Sequence, residues 1–223
     1  MRILLLGYGR MGRLVESLAA AHGCAIAGIV TSRSGADAFG ADADVAVDFS
    51  IGPAVRANVI RLAERGLNVV IGTTGWSDDE AACREIAQRA GIGVIASPNF
   101  ALGMHVFRTV VEQAARLFAS QPDVGAWIHE QHHAAKKDAP SGTALMLQRA
   151  MAARGYTRPI DVSSTRAGSM PGTHAVGFDG PAEAVTLTHE VRDRAVFAHG
   201  AIEAAKWVKD RRGWFSMADL VGE

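Results

Sequence analysis

Short apolar runs at residues 3–6, 25–30, 45–49, 69–71 and 93–96 alternate with stretches of helical period at 11–21, 53–65 and 78–90. Apolar runs of this length, bounded by turn residues, predict buried strands, and the longer periodic stretches predict amphipathic helices. Pro53 suits a first helical turn, and Gly66 and Gly91 stand where helices stop. Strand–helix alternation of this kind predicts a parallel sheet covered on both faces. The connection 30–45 is dominated by Ser, Gly, Ala and Asp and predicts a loop. After Phe100 the pattern changes. A long amphipathic helix is predicted over 102–119, with Met104, Phe107, Val110, Val111, Ala114 and Leu117 on one stripe. A strand over 125–132, a polar loop, a helix over 143–154 and alternating strands at 160–165, 174–178 and 185–191 follow. A helix over 195–209 and a tail containing Phe215-Ser216-Met217 close the chain.

Composition narrows the class without adding chemistry. The 223 residues carry 23 Lys+Arg against 23 Asp+Glu, which argues against a binder of nucleic acid that needs a basic face. At 48% hydrophobic and 21% charged the chain is that of a folded protein rather than a disordered one. No apolar run reaches the about 18 residues of a membrane span, and the apolar stretch at 3–6 is too short for a secretory signal. Cys24 and Cys83 have no partners at metal-ligand spacing and read as two reduced thiols of a cytoplasmic protein.

The first candidate site is the segment Gly7-Tyr8-Gly9-Arg10-Met11-Gly12, a G-x-G-x-x-G loop between the first strand and the first helix. Glycines there allow a tight turn and close backbone approach, and the helix start then faces a pyrophosphate. Loop, strand and helix together predict a Rossmann-type dinucleotide site. The second strand ends in Val30-Thr31-Ser32-Arg33, with no carboxylate before Asp37 to hold ribose hydroxyls. Ser32 and Arg33 suit a 2′-phosphate, because a guanidinium pairs with phosphate oxygens. NADPH is therefore the favoured cofactor, with NADH as the alternative. Gly72-Thr73-Thr74 and Ser97-Pro98-Asn99-Phe100 follow two further strands, at the sheet edge where the nicotinamide half would rest.

The densest chemistry is the segment from Glu130 to Thr143. His132, His133, Lys136 and Lys137 fall within six residues, and Ser141-Gly142-Thr143 then opens a helix. A helix start with free N–H groups and hydroxyls binds carboxylate or phosphate. A neighbouring His moves protons near neutral pH, and a Lys orients or protonates an anion. The set suits a small doubly anionic substrate in a proton-coupled step. His129, Glu130, His132 and His133 are of metal-ligand type, but strand alternation sends adjacent residues to opposite faces, so no metal is expected. Ser141 lacks a nucleophile elbow and is not expected to attack a substrate.

The motif Glu130-x-His132-His133-x-x-Lys136-x-Asp138-Ala139-Pro140-Ser141-Gly142-Thr143-Ala144 resembles that of the dihydrodipicolinate reductase family. Asp48-Phe49-Ser50, Gly72–Gly75, Asn99-Phe100, Arg166-Ala167-Gly168, Gly172-Thr173-His174 and His189 through Arg194-x-x-Phe197-Ala198-x-Gly200-Ala201 extend the likeness along the chain. The resemblance implies an α/β protein: a doubly wound parallel sheet in a dinucleotide-binding domain over 1–100, and an α+β substrate and oligomerisation domain with an open mixed sheet over 101–199. Segment 200–223 would return to the first domain. It further implies hydride transfer from NAD(P)H to a cyclic imine dicarboxylate, giving tetrahydrodipicolinate on the diaminopimelate route to lysine. By position, His132 matches the family's acid/base and Lys136 its proton donor, while His133, Gly142 and Thr143 match its substrate-carboxylate contacts. Ser141, in the same opening turn, is grouped with them. A cytoplasmic homotetramer joined through the substrate-domain sheet is implied as well. A reductase of another small imine or keto dicarboxylate, and a non-catalytic dinucleotide-binding regulator, are the alternatives. The family's glycine loop commonly runs one residue longer, and Ala134 and Ala135 thin the basic cluster.

Overall fold

The computed structural model describes residues 1–34 and 36–222, and the chain divides into two compact units. One comprises Met1–Leu102 with Ala195–Glu223, the other Gly103–Arg194. The division thus falls at Leu102 and Ala195 rather than at residues 100 and 200.

In the first unit β1 (Arg2–Leu6), β2 (Ala25–Val30), β3 (Val45–Asp48), β4 (Val69–Ile71) and β5 (Gly93–Ala96) alternate with α1 (Arg10–Ala19), α2 (Gly52–Glu64) and α3 (Glu80–Ala90). Their side chains sort by strand alternation. Ile3, Leu5, Val47, Val70 and Ile95 point to one side, where α1 covers them. Leu4, Leu6, Ala46, Val69 and Val94 point to the other, packing on Val55, Val59, Cys83 and Ala87 of α2 and α3. The predicted loop over 30–45 holds a 3-10 turn, Ala36–Gly40, anchored by the buried ring of Phe39. Cys24 and Cys83 are free and buried.

The end of the chain completes this unit. Helix α6 (Ala195–Val208) joins the α1 side of the core through Ala198, Ala201, Ile202, Ala205 and Val208. β10 (Gly213–Phe215) then pairs in parallel with β5, and α7 (Met217–Val221) follows. The six-stranded sheet runs β10-β5-β4-β3-β1-β2, all parallel. Buried Asn68 ties the α6–β10 connection to the sheet. Its amide nitrogen donates to the carbonyls of Val208, Lys209 and Arg211 at 2.7, 2.8 and 2.9 Å, and its oxygen accepts from Gly93 N–H at 2.7 Å.

The second unit holds α4 (Leu102–Phe118, whose first residue belongs to the first unit), α5 (Gly142–Ala153) and a mixed four-stranded sheet. Its strands are β6 (Gly125–His132), β7 (Ile160–Arg166), β8 (Gly172–Asp179) and β9 (Ala184–Val191), in the order β7-β6-β8-β9. β6 pairs with β7 in parallel and with β8 antiparallel. The stripe predicted for α4 is too broad. Met104, Phe107, Val111 and Ala115 are buried, whereas Val110 and Leu117 are 46% and 56% exposed. At 100° per residue those two lie well round the cylinder from the buried line. Among the described residues no helix is long and apolar enough to cross a membrane.

Candidate active site

β6 is the axis of the polar cluster in the second unit. Its alternation turns Ala126, Ile128, Glu130 and His132 to the buried face, and Trp127, His129 and Gln131 to the other. Glu130 and His132 are thus neighbours on one face although a residue separates them. The parallel register sets Arg166 of β7 beside His132, and the antiparallel register sets His174 of β8 beside Glu130. Four functional groups from three strands converge on a site that no single sequence segment contains.

Glu130 is fully buried. His132 Nδ1–H donates to its Oε2. Arg166 donates to both oxygens, Nη2 to Oε1 at 2.6 Å and Nη1 to Oε2 at 2.9 Å, and Ser141 N–H reaches Oε1 at 3.2 Å. Burial alone would raise the Glu130 carboxyl, but the hydrogen bonds from Arg166 foremost, and from Ser164 and His132, bring it down to about 2. His132 is shifted below the ordinary histidine value, since burial outweighs the pull of Glu130. His174 is pushed down to about 4 by burial and the nearby His132. Its ring meets His132 edge-on, with centroids 5.1 Å apart, and its Nε2 shares a 3.2 Å hydrogen bond with Ser141 Oγ.

The loop after β6 is held against the residues after β7. His133 N–H donates to Met170 O and Ala134 N–H to Gly168 O, at 2.9 and 3.2 Å. Lys136 Nζ donates to both Asp138 oxygens, at 2.7 and 2.9 Å, and this holds the Asp138 carboxyl below the usual carboxylate range. Arg166 also donates to Asp138 O at 2.6 Å. Ser141 is the N-cap of α5, its hydroxyl accepting from Ala144 N–H at 3.2 Å, and it is 2% exposed. Its side chain is therefore engaged in capping and in His174, while exposed Gly142 and half-buried Thr143 present the helix start.

Glu130, His132 and His174 bring three ligand-type atoms within 4.8 Å of one another, the first two through strand alternation and the third through the β6–β8 register. A guanidinium sits on both Glu130 oxygens, so the carboxylate is already matched by charge; the set reads as acid–base rather than metal chemistry.

The glycine loop in the first unit fits a dinucleotide pyrophosphate. Gly7 has φ +87° and lies so close to the Phe49 backbone that a Cβ would collide with it. Gly9, the N-cap of α1, has open space where a Cβ would be, and α1 has neither a side-chain cap nor an acid in its first turn. Its N–H groups thus remain for an anion. Arg10 is exposed beside them, Met11 packs on the core, and buried Gly12 lies against Gly7. The Tyr8 hydroxyl is taken by Glu16, and Arg13 lies over its ring. Ser32 and Arg33 are exposed in a turn closed by Ser34 N–H on Thr31 O.

At the carboxyl ends of β4, β5 and β10 a cavity of about 450 Å³ is lined by Thr73, Thr74, Ser97 and Pro98, with Trp76 and Trp214. The two tryptophans escaped sequence reasoning; a Trp two residues after a strand-end Thr pair was the available signal for the first. Thr73 donates to buried Asp48 at 2.9 Å, and Gly72 lies against the Phe49 ring. Asn99 Oδ1 accepts from Ala101 N–H at 2.8 Å. Phe100 departs from expectation: the residue is 2% exposed, its ring packs edge-on to Phe49 and its carbonyl lies against Gly200 of α6, so it offers almost no surface to a cofactor.

A Rossmann-type sheet with an open glycine loop, joined in one chain to a mixed sheet carrying an acid–base cluster, defines a nicotinamide-dependent oxidoreductase. Residues 1–100 match the dihydrodipicolinate reductase N-terminus and residues 103–221 the C-terminus of the same enzyme. The chain is 33% identical to the 4-hydroxy-tetrahydrodipicolinate reductase of Christiangramia forsetii, covering 100% of this chain and 98% of that one. It is 35% identical to the enzyme of the same name from Rhodopseudomonas palustris, with 100% and 97% covered. A solved dipicolinate-bound dihydrodipicolinate reductase from Paenisporosarcina sp. TG-14 shares the fold, with a TM-score of 0.85 at 20% identity over 99% of this chain and 98% of that chain. The chain belongs to the dihydrodipicolinate reductase family.

Proposed function

We propose that this protein reduces the cyclic imine dicarboxylate 4-hydroxy-tetrahydrodipicolinate to tetrahydrodipicolinate with NAD(P)H and a proton, the 4-hydroxyl leaving as water, in the diaminopimelate route to lysine. The observation that carries this reading is the buried Glu130–His132 pair, with Lys136 on the loop that leads directly into the start of α5. A nicotinamide cofactor, when bound, would supply the hydride. Lys136 Nζ is the proton donor to the reduced ring, and His132 is the acid/base that handles the proton at its free nitrogen. His133, Gly142 and Thr143 hold the substrate carboxylates, with Ser141 shaping that helix start from below. Residues 1–100 and 195–223 act as the cofactor domain and 103–194 as the substrate domain.

Gly7–Gly12 would hold the pyrophosphate, and Gly72–Thr74 with Ser97–Asn99 the nicotinamide half. Ser32 and Arg33 favour NADPH over NADH. Arg33→Ala is expected to weaken NADPH about tenfold or more while leaving NADH nearly unchanged, since only NADPH offers a phosphate to the guanidinium. Titration of both cofactors by fluorescence checks this; an unchanged ratio removes Arg33 from the site. The working form is taken to be a cytoplasmic homotetramer joined through the four-stranded sheet, a reading supported by the family resemblance and checked by sedimentation.

A coupled assay tests the reaction. Pyruvate and aspartate semialdehyde, with the synthase that condenses them, generate the unstable substrate in place, and NADPH oxidation is followed by absorbance. Oxidation that depends on the synthase is the expected result. NADPH binding without oxidation would revive the regulator or the altered-substrate reading.

A further inference from the structure

We infer that Glu130, clamped by Arg166, is the positioning residue for both proton-handling groups: it holds His132 in its Nδ1–H form and ties the Lys136 loop to the strand end. The inference rests on the reductase reading above and deepens it.

A fully buried carboxylate is costly unless each oxygen is matched, and a buried ion pair is by itself weak evidence of stabilisation, because apolar replacements are often as stable. The arrangement around Glu130 does more than neutralise it. Oε2 takes His132 Nδ1–H and Arg166 Nη1–H; Oε1 takes Arg166 Nη2–H and Ser141 N–H. A carboxylate on Nδ1 settles which imidazole nitrogen carries the proton and leaves Nε2 to act on a substrate. The space beside Nε2 is kept by Gly172, with φ +151°, where a Cβ would stand 2.9 Å from that nitrogen. The second branch runs through Arg166, whose Nη2 bonds Asp138 O, and Asp138 in turn receives Lys136 Nζ. One ion pair thereby connects both groups. The charged and titratable groups facing His132 are Glu130 on its own strand, Arg166 on β7, His174 on β8 and Lys136 on the loop.

Glu130→Gln keeps the size and removes the charge. The expected result is a kcat about 100-fold lower or more, with KM for the dicarboxylate and NADPH affinity changed far less. The pH–rate limb belonging to His132 should move to lower pH, because the attraction of Glu130 for the imidazolium is gone. Glu130→Asp, which keeps the charge, should recover part of the rate. Long-range nitrogen–proton NMR of the wild-type imidazoles should show His132 protonated at Nδ1, and the variant should lose that preference. A folded Glu130→Gln protein with kcat within about threefold of wild type and an unmoved limb would overturn the inference. So would a wild-type His132 protonated at Nε2 alone. Should the single variant fail to fold, Glu130→Gln/Arg166→Met removes both charges together and carries the same expectations for kcat and the tautomer, with a smaller movement of the limb because Arg166 no longer opposes the imidazolium. If the wild-type protein does not reduce the imine at all, the reaction reading falls, and the NMR result still decides whether Glu130 sets the tautomer.

Discussion

His132→Gln is expected to lower turnover about 10²–10⁴-fold while leaving the NADPH dissociation constant within about twofold. Gln fills nearly the same volume and can still hydrogen-bond Glu130, so the buried face of β6 keeps its packing. What it cannot do is exchange a proton near neutral pH. The glycine loop belongs to the other unit of the chain and contains no part of this cluster, so cofactor affinity has no reason to change. Steady-state kinetics in the coupled assay and a cofactor titration on the same preparation check both halves. Equal losses in turnover and in binding would mean that His132 has been given the wrong role.

Arg166→Leu is expected to cost about 3–5 kcal/mol of stability, since it leaves Glu130 buried without its countercharge. The pH dependence distinguishes this from a lost packing contact. In the wild-type protein Glu130 sits at about 2, well below its ordinary value, so its contribution is full above about pH 4.5 and is lost as the pH falls towards 2. In the variant the strongest of the opposing hydrogen bonds is gone, so the carboxyl moves up from its wild-type position while Ser164 and His132 still hold it down. Its remaining contribution is then smaller and is lost at a higher pH than in the wild type as the pH falls. Buried His174 destabilises both proteins alike as the pH falls from 6.5 towards 4 and so drops out of the difference between them. Urea unfolding between pH 3 and 7 should show the gap widening as the pH rises to about 4.5 and level above it, and a constant gap throughout would assign Arg166 to packing alone.

Much of the first unit was legible in the chain because its strands are apolar runs separated by helices of clear period. β10 was not: Gly213-Trp214-Phe215 is too short to show alternation, and it becomes a strand only because β5 offers a free edge. The breadth of the α4 stripe was misjudged for a related reason, since Val110 and Leu117 are apolar yet face away from the buried line. In the active site, the proton-handling pair and the helix start lay within one continuous segment and could be read directly. Arg166 and His174 could not be linked to Glu130 from sequence, being 36 and 44 residues away and brought in by the β6–β7 and β6–β8 registers. The usable signal was local: a Glu two residues before a His on a half-buried strand puts both on one face. A buried Glu then requires a cation, and Arg166, ending an alternating strand, was the residue to test.

The central claim is that this chain moves a hydride to the imine dicarboxylate. The most direct test uses NADPH deuterated at both C4 positions of the nicotinamide, with the substrate generated in place by the synthase and the product trapped for mass spectrometry. A product heavier by one deuterium, formed only when protein, cofactor and synthase are all present, is the predicted result. Unlabelled product, or label remaining wholly on the nicotinamide while the imine persists, would contradict it.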